Sequence, residues 1–76
     1  MSMEIEVEKI RPNLRLIYEY DAIEAVCRVI QKGGEIEPLL VWFDGENFRI
    51  WDGEKRWRAC KKLGIKRVKV FLVEFS

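Results

Sequence analysis

The 76-residue chain has no histidine, and its two cysteines, Cys27 and Cys60, are not in a Cys-x-x-Cys spacing. A zinc site built from His and Cys ligands is therefore excluded. So is catalysis through a Cys–His or Ser–His–Asp system, because the imidazole base is missing. No apolar run approaches the ~20 residues that span a bilayer. Met1-Ser2-Met3-Glu4 leads into acids rather than into the apolar core of a secretion signal, so neither a membrane partner nor export is expected. The expected setting is a reducing cytoplasm, with both thiols serving as small core residues rather than as a disulfide. Repeats, linkers and low-complexity tracts are also absent, and residues 1–76 are expected to form one domain without haem or flavin.

What is present is a dense set of apolar and aromatic residues, 49% and 12% of the chain. A domain this short buries only ~60% of its unfolded surface, so that apolar supply is what makes a core feasible without staples. The formal net charge of +1 conceals a gradient. Residues 1–38 hold five Lys/Arg against eight Asp/Glu, and residues 39–76 hold nine against five. A surplus of cations in the second half favours an anionic, phosphate-bearing partner.

Periodicity and turn chemistry give the element order β, loop, α, β, β, α, β, an α+β domain with a mixed sheet and two main helices. Glu4 to Glu8 alternates acids with Ile5 and Val7, the pattern of a half-buried strand whose glutamates discourage edge pairing. Leu14 to Tyr20 reads as a loop or short strand. Asp21 is the expected N-cap of a helix running to about Lys32, stopped by Gly33-Gly34, with an apolar stripe at Ile23, Val26, Cys27 and Ile30. Glu24 and Arg28 are placed to pair on its wet side. Leu39 to Phe43 and Asn47 to Trp51 are hairpin strands around Asp44-Gly45. A second helix ends at Leu63-Gly64, with Trp57, Ala59, Cys60 and Leu63 on its inward edge. Val68 to Val73 is a last strand, expected to be partly buried on both faces. Trp42, Trp51 and Trp57 are all expected in the core rather than as stacking platforms.

The stretch Trp51-Asp52-Gly53-Glu54-Lys55-Arg56-Trp57-Arg58 is where chemistry concentrates. A strand end turns at Asp52-Gly53 into a helix whose first two turns carry Lys55, Arg56 and Arg58. Backbone N–H groups and the positive end of the helix dipole converge at that start, where either Asp52 or Gly53 can be the N-cap. Such a start is an anion site, and it is equally the start of an ordinary capped surface helix with solvated Lys and Arg. Arg11 and Arg15 are loop candidates for the same ligand. Asp52 and Glu54 are the carboxylates nearest the basic cluster, hence the candidates for any catalytic role. A clustered acid set for two-metal chemistry is absent.

The run Ile36-Glu37-Pro38-Leu39-Leu40-Val41, the Asp-Gly hairpin and Gly53-Glu54-Lys55-Arg56-Trp57-Arg58-Ala59 closely resemble the N-terminal domain of ParB chromosome-partition proteins. Arg11-Pro12-Asn13 and Val68-Lys69-Val70 fall where that family has its Pro-Asn segment and last strand. The resemblance spans roughly residues 5–73 and implies the ParB/sulfiredoxin fold. It further implies a nucleoside triphosphate, CTP or ATP, with Mg2+. Gly53 would give close backbone approach, Lys55, Arg56 and Arg58 phosphate charge, and Glu54 a cap or a hold on a magnesium-bound water. Pro38 and Leu39 would line the base pocket. Arg56 matches best, and its guanidinium fork can grip phosphate oxygens in two places.

Departures limit what carries over. The helix-turn-helix and dimerisation domains of ParB are not in this sequence, which puts DNA binding in doubt. Partner protein or homodimer contacts stay open. The catalytic cysteine of sulfiredoxins has Glu54 in its place, and Cys60 is not its equivalent. Of the serine-kinase motif Asp-Gly-His-His-Arg, only Asp52, Gly53 and Arg56 survive. The expected function is thus a nucleotide-binding module. The alternatives are an enzyme of the same fold (a kinase, an ATPase or CTPase, or nuclease-like) and a protein-interaction domain whose nucleotide site has decayed.

Overall fold

The structure is a computed structural model describing residues 2–12 and 20–74. Strand β1 (Ser2–Glu6) leads through a 3-10 turn (Val7–Lys9) into β2 (Ile10–Arg11). Helix α1 (Tyr20–Gln31), strands β3 (Leu39–Phe43) and β4 (Phe48–Asp52), helix α2 (Glu54–Leu63) and strand β5 (Arg67–Leu72) complete the order. The strands form one mixed sheet in the order β1-β5-β3-β4-β2. β5 pairs antiparallel with β1 and parallel with β3, while β4 pairs antiparallel with β3 and parallel with β2. This is the expected α+β architecture.

The core lies between α2 and one face of the sheet. Ile5, Leu39, Val41, Ile50, Val68 and Val70 are buried there against Trp57 and Cys60. α1 packs mainly on α2. Its Cys27 thiol lies 4.0 Å from the Ala59 carbonyl at the helix–helix contact, and both cysteines are buried free thiols. Burial pushes the Cys60 thiol up, and the nearby Cys27 adds to the shift.

Several local expectations are corrected. β1 ends at Glu6 rather than Glu8, because after a last bond to β5's side, from the Val7 N–H to the Lys66 carbonyl at 2.8 Å, the chain winds into the 3-10 turn. The alternation survives the turn: Val7 is buried and Glu8 exposed. Asp21 lies inside α1, one residue past its start, instead of capping it. An acid in a first turn suits the helix dipole as well as a cap does, so composition could not separate the two positions. Glu24 meets Lys62 of α2, an interhelical ion pair rather than the i, i+4 contact with Arg28. β5 is one-sided, with Val68 and Val70 buried and Lys69 and Phe71 exposed. Of the three tryptophans only Trp57 is core. Trp42 and Trp51 meet edge to face at 6.0 Å on the sheet side away from α2, with Trp51 52% exposed. The register slips between Leu40 and Val41, which sets Trp51 between the paired Ile50 and Asp52. The Leu14 to Glu19 stretch and Arg15 lie outside the described residues.

The hairpin is held by Asp44, whose Oδ1 accepts from the N–H groups of Glu46 and Asn47 at 2.9 and 2.7 Å. Its Oδ2 accepts from Arg49 Nε at 2.6 Å. These three donors, the Asn47 N–H foremost, lower its pKa from 3.8 to about 2. A depressed folded pKa means the stabilisation is complete above pH 3.8 and is lost as pH falls through about 2. Thermal melts of wild type and Asp44→Asn should therefore differ at neutral pH and converge on acidification to pH 2. A gap that stays constant across that window would show that the hairpin does not depend on the charge.

Candidate anion site at the start of the second helix

Gly53 sits between β4 and α2 with φ 105° and is the N-cap of α2, so the alternative of Asp52 as cap is set aside. A glycine cap brings no side chain, so the cap residue itself makes no side-chain hydrogen bond to the helix start. Space as well as φ requires glycine here. A Cβ at residue 53 would stand 2.8 Å from Leu39 Cδ2 and 3.6 Å from the guanidinium carbon of Arg56. The turn is therefore a backbone cradle seated on Leu39 directly beside a cation, a helix start of the kind at which peptide N–H groups approach a phosphate.

Asp52, Gly53, Glu54, Lys55 and Arg56, with Val26 of α1, line a hollow of about 270 Å³. Arg56 donates to the carbonyls of Pro38 at 2.9 Å and Glu37 at 3.3 Å, and its Nη2 lies 3.8 Å from the Glu37 carboxylate. The same guanidinium thus ties the segment before β3 to the helix start and brings Pro38 beside the cradle. Leu39 packs beneath Gly53 and is 0% exposed, so it shapes the turn from below and offers no surface of its own.

Glu54, the first residue of α2, is 1% exposed, and its Oε2 lies 3.3 Å from Arg58 Nε. A buried carboxylate needs a paired cation and hydrogen bonds to be tolerated. Its place is as an internal brace that holds Arg58, while Asp52 remains the exposed acid at the turn. Arg58 lines a different hollow, of about 350 Å³, together with Arg11. The predicted residues therefore divide into two groups: Gly53, Glu54, Lys55 and Arg56 gather at the turn, whereas Arg58 and Arg11 face the neighbouring hollow. Sequence reasoning missed the Glu37 and Pro38 carbonyls, since backbone acceptors leave no signal in side-chain patterns. It also missed the Trp57 indole bond to the Val7 carbonyl, at 3.1 Å. Among the described residues no three His, Cys, Asp or Glu side chains converge as a metal group, and no helix is long and apolar enough to cross a membrane.

A mixed sheet backed by α2, with a glycine cradle and Arg56 at the helix start, defines a small α+β chain of the ParB/sulfiredoxin fold. The chain belongs to the ParB N-terminal domain family, whose model matches residues 2–76. It is 38% identical over 71 residues to a probable chromosome-partitioning protein ParB of Rickettsia felis, covering 90% of this chain and 24% of that protein. A nucleoid occlusion protein of Oceanobacillus iheyensis is 31% identical over 79 residues, 97% of this chain and 28% of that protein. The chain thus spans about a quarter of the length of these relatives. Among solved structures, C-terminally truncated ParB from Caulobacter crescentus complexed with CTP-gamma-S superposes with a TM-score of 0.85 at 27% identity, covering 100% of this chain and 46% of that one. A free serine kinase in complex with AMP gives 0.84 at 25% identity, covering 96% and 31%. Sulfiredoxin from Arabidopsis thaliana gives 0.82 at 22% identity and shares the fold.

Proposed function

We propose that this chain is a nucleotide-binding module in which the start of α2 receives the phosphates. The observation that carries the reading is the cradle at Gly53, where a positive φ and the space a Cβ would fill are set against the Arg56 guanidinium. Related chains of this fold, in complexes with CTP-gamma-S and with AMP, support it. Gly53 gives backbone access, Lys55 supplies a point charge at the rim, and Arg56 grips an oxygen while its remaining donors hold the Pro38 carbonyl. Pro38 lends its carbonyl to that bond, while the residue itself lines a separate hollow with Glu4, Gly34 and Lys69. Glu54 keeps Arg58 in place from inside. With so few carboxylates at the turn, Mg2+ would arrive with the phosphates, and Asp52 is the exposed acid nearest to it.

The test is thermal unfolding of wild type, Arg56→Ala and Lys55→Ala with each nucleoside triphosphate, with and without Mg2+. A ligand at 100 times its dissociation constant adds about 2.7 kcal/mol, a shift of several degrees in so small a chain. The shift is expected for wild type, reduced in Lys55→Ala and abolished in Arg56→Ala. Arg56→Ala also loses the carbonyl bonds, so each shift is read against the same variant without ligand. No shift with any triphosphate would sink the reading.

A further inference from the structure

A second concavity runs along the opposite flank of α2 and shares no lining residue with the hollow at Gly53. It consists of two adjoining hollows, of about 470 and 350 Å³, which meet at Val7, Glu8 and Lys61. One wall is the β1 end and its 3-10 turn, carrying Glu6 and Glu8. The other is the outer side of α2 and the turn into β5, carrying Arg58, Lys61, Lys66 and Arg67, with Arg11 at the far end. Glu54 holds Arg58 and Glu4 lies 3.7 Å from Arg67, so the charge offered to a ligand comes mainly from Lys61, Lys66 and Arg11, opposite Glu6 and Glu8. Lys61 Nζ is held 4.5 Å above the Trp57 ring, which fixes one cation over the midpoint. Lys66 is exposed, and among the described residues no ion pair engages it.

We propose that this groove receives an extended acidic peptide segment of a partner protein. The two walls ask for different things from one ligand. The cationic wall takes carboxylates, and the glutamates of the other wall accept hydrogen bonds. A peptide supplies both, through acidic side chains and backbone N–H donors. A phosphodiester chain has anions but no backbone donors, so it would set like charge against Glu6 and Glu8. No ring is open for a base to stack on either, since Trp57 is 4% exposed beneath Lys61. From Trp57 to Gly64, the outermost lining positions, the chain rises about 10 Å, the span of roughly three extended residues. The expected ligand is thus short, with acids at alternate positions so that they share one side.

The proposal does not rest on nucleotide binding, and its test separates the two. Isotope-labelled protein is titrated with a short capped peptide alternating glutamate and leucine, with its glutamine counterpart, and with oligothymidylate, while amide shifts are followed by NMR. The glutamate peptide should move Val7, Glu8, the Trp57 indole, Lys61, Ile65 and Lys66, and should weaken with salt. Lys61→Glu with Lys66→Glu should weaken it more than about tenfold, equivalent to ~1.4 kcal/mol. Both sites are exposed, so the fold should persist, and the nucleotide-induced shift at Gly53 should remain unchanged. Equal binding of the glutamine peptide, tighter binding of oligothymidylate, shifts mapping elsewhere, indifference to the charge reversal, or no binding below about 1 mM would each overturn the proposal.

Discussion

Trp57→Ala is expected to cost about 3–5 kcal/mol, the range for deleting a buried large aromatic, and so to leave the chain largely unfolded at room temperature. Small domains sit at the low end of the usual ~5–15 kcal/mol of stability, and a loss of this size removes most of it. Trp57 is 4% exposed in the core cluster, between the sheet and the 3-10 turn. Its indole N–H donates to the Val7 carbonyl at 3.1 Å, fastening the chain just after β1 to α2 across 50 residues. Trp57→Phe separates the two contributions. It keeps most of the ring and leaves the Val7 carbonyl without its donor, at about 1–3 kcal/mol. Urea unfolding should rank wild type, Phe and Ala in that order. Equal midpoints for Phe and wild type would mean that water replaces the indole donor without loss.

Gly53→Ala is expected to cost about 2–5 kcal/mol, combining ~1–2 for an L-residue at positive φ with ~1–3 for overpacking. The new methyl would meet Leu39 Cδ2 at 2.8 Å, and Leu39, 0% exposed, has no solvent side to retreat to. Gly45→Ala is the matched control: its φ of 99° is similar, but nothing lies within 4 Å of its Cβ position. It should show the backbone cost alone. The methyl at residue 53 also points 3.6 Å from the Arg56 guanidinium carbon, so any residual stabilisation by nucleotide should vanish in Gly53→Ala and persist in Gly45→Ala. Melting temperatures of the two variants, with and without ligand, decide this. Equal losses would show that the Leu39 contact relaxes.

Much of the site was legible in the chain before folding was considered. The turn at Asp52-Gly53, the helix after it and the Gly64 stop depend on backbone preferences within a few residues, and all three stand in the structure, with Gly64 at φ 75°. The basic residues of α2 were legible as a set, but their division was not. Positions 55, 56 and 58 point in different directions around a helix, and what each meets is set by other segments. Arg56 reaches carbonyls 18 and 19 residues away, while Arg58 turns back to a buried Glu54.

The tryptophans show the same boundary. Hydrophobicity marks Trp42, Trp51 and Trp57 alike, but burial depends on which face of the sheet α2 covers and on the register slip beside Val41. The sequence by itself determined the two helices, the hairpin and last strand, the Asp-Gly turns, the Gly64 stop and the cation-rich second half, because these follow from periodicity and local φ requirements. Only the tertiary structure decided that Glu54 is buried, that Arg56 braces the segment before β3 and that Trp51 faces outward. Those outcomes depend on contacts between residues far apart in the chain, which no local pattern encodes.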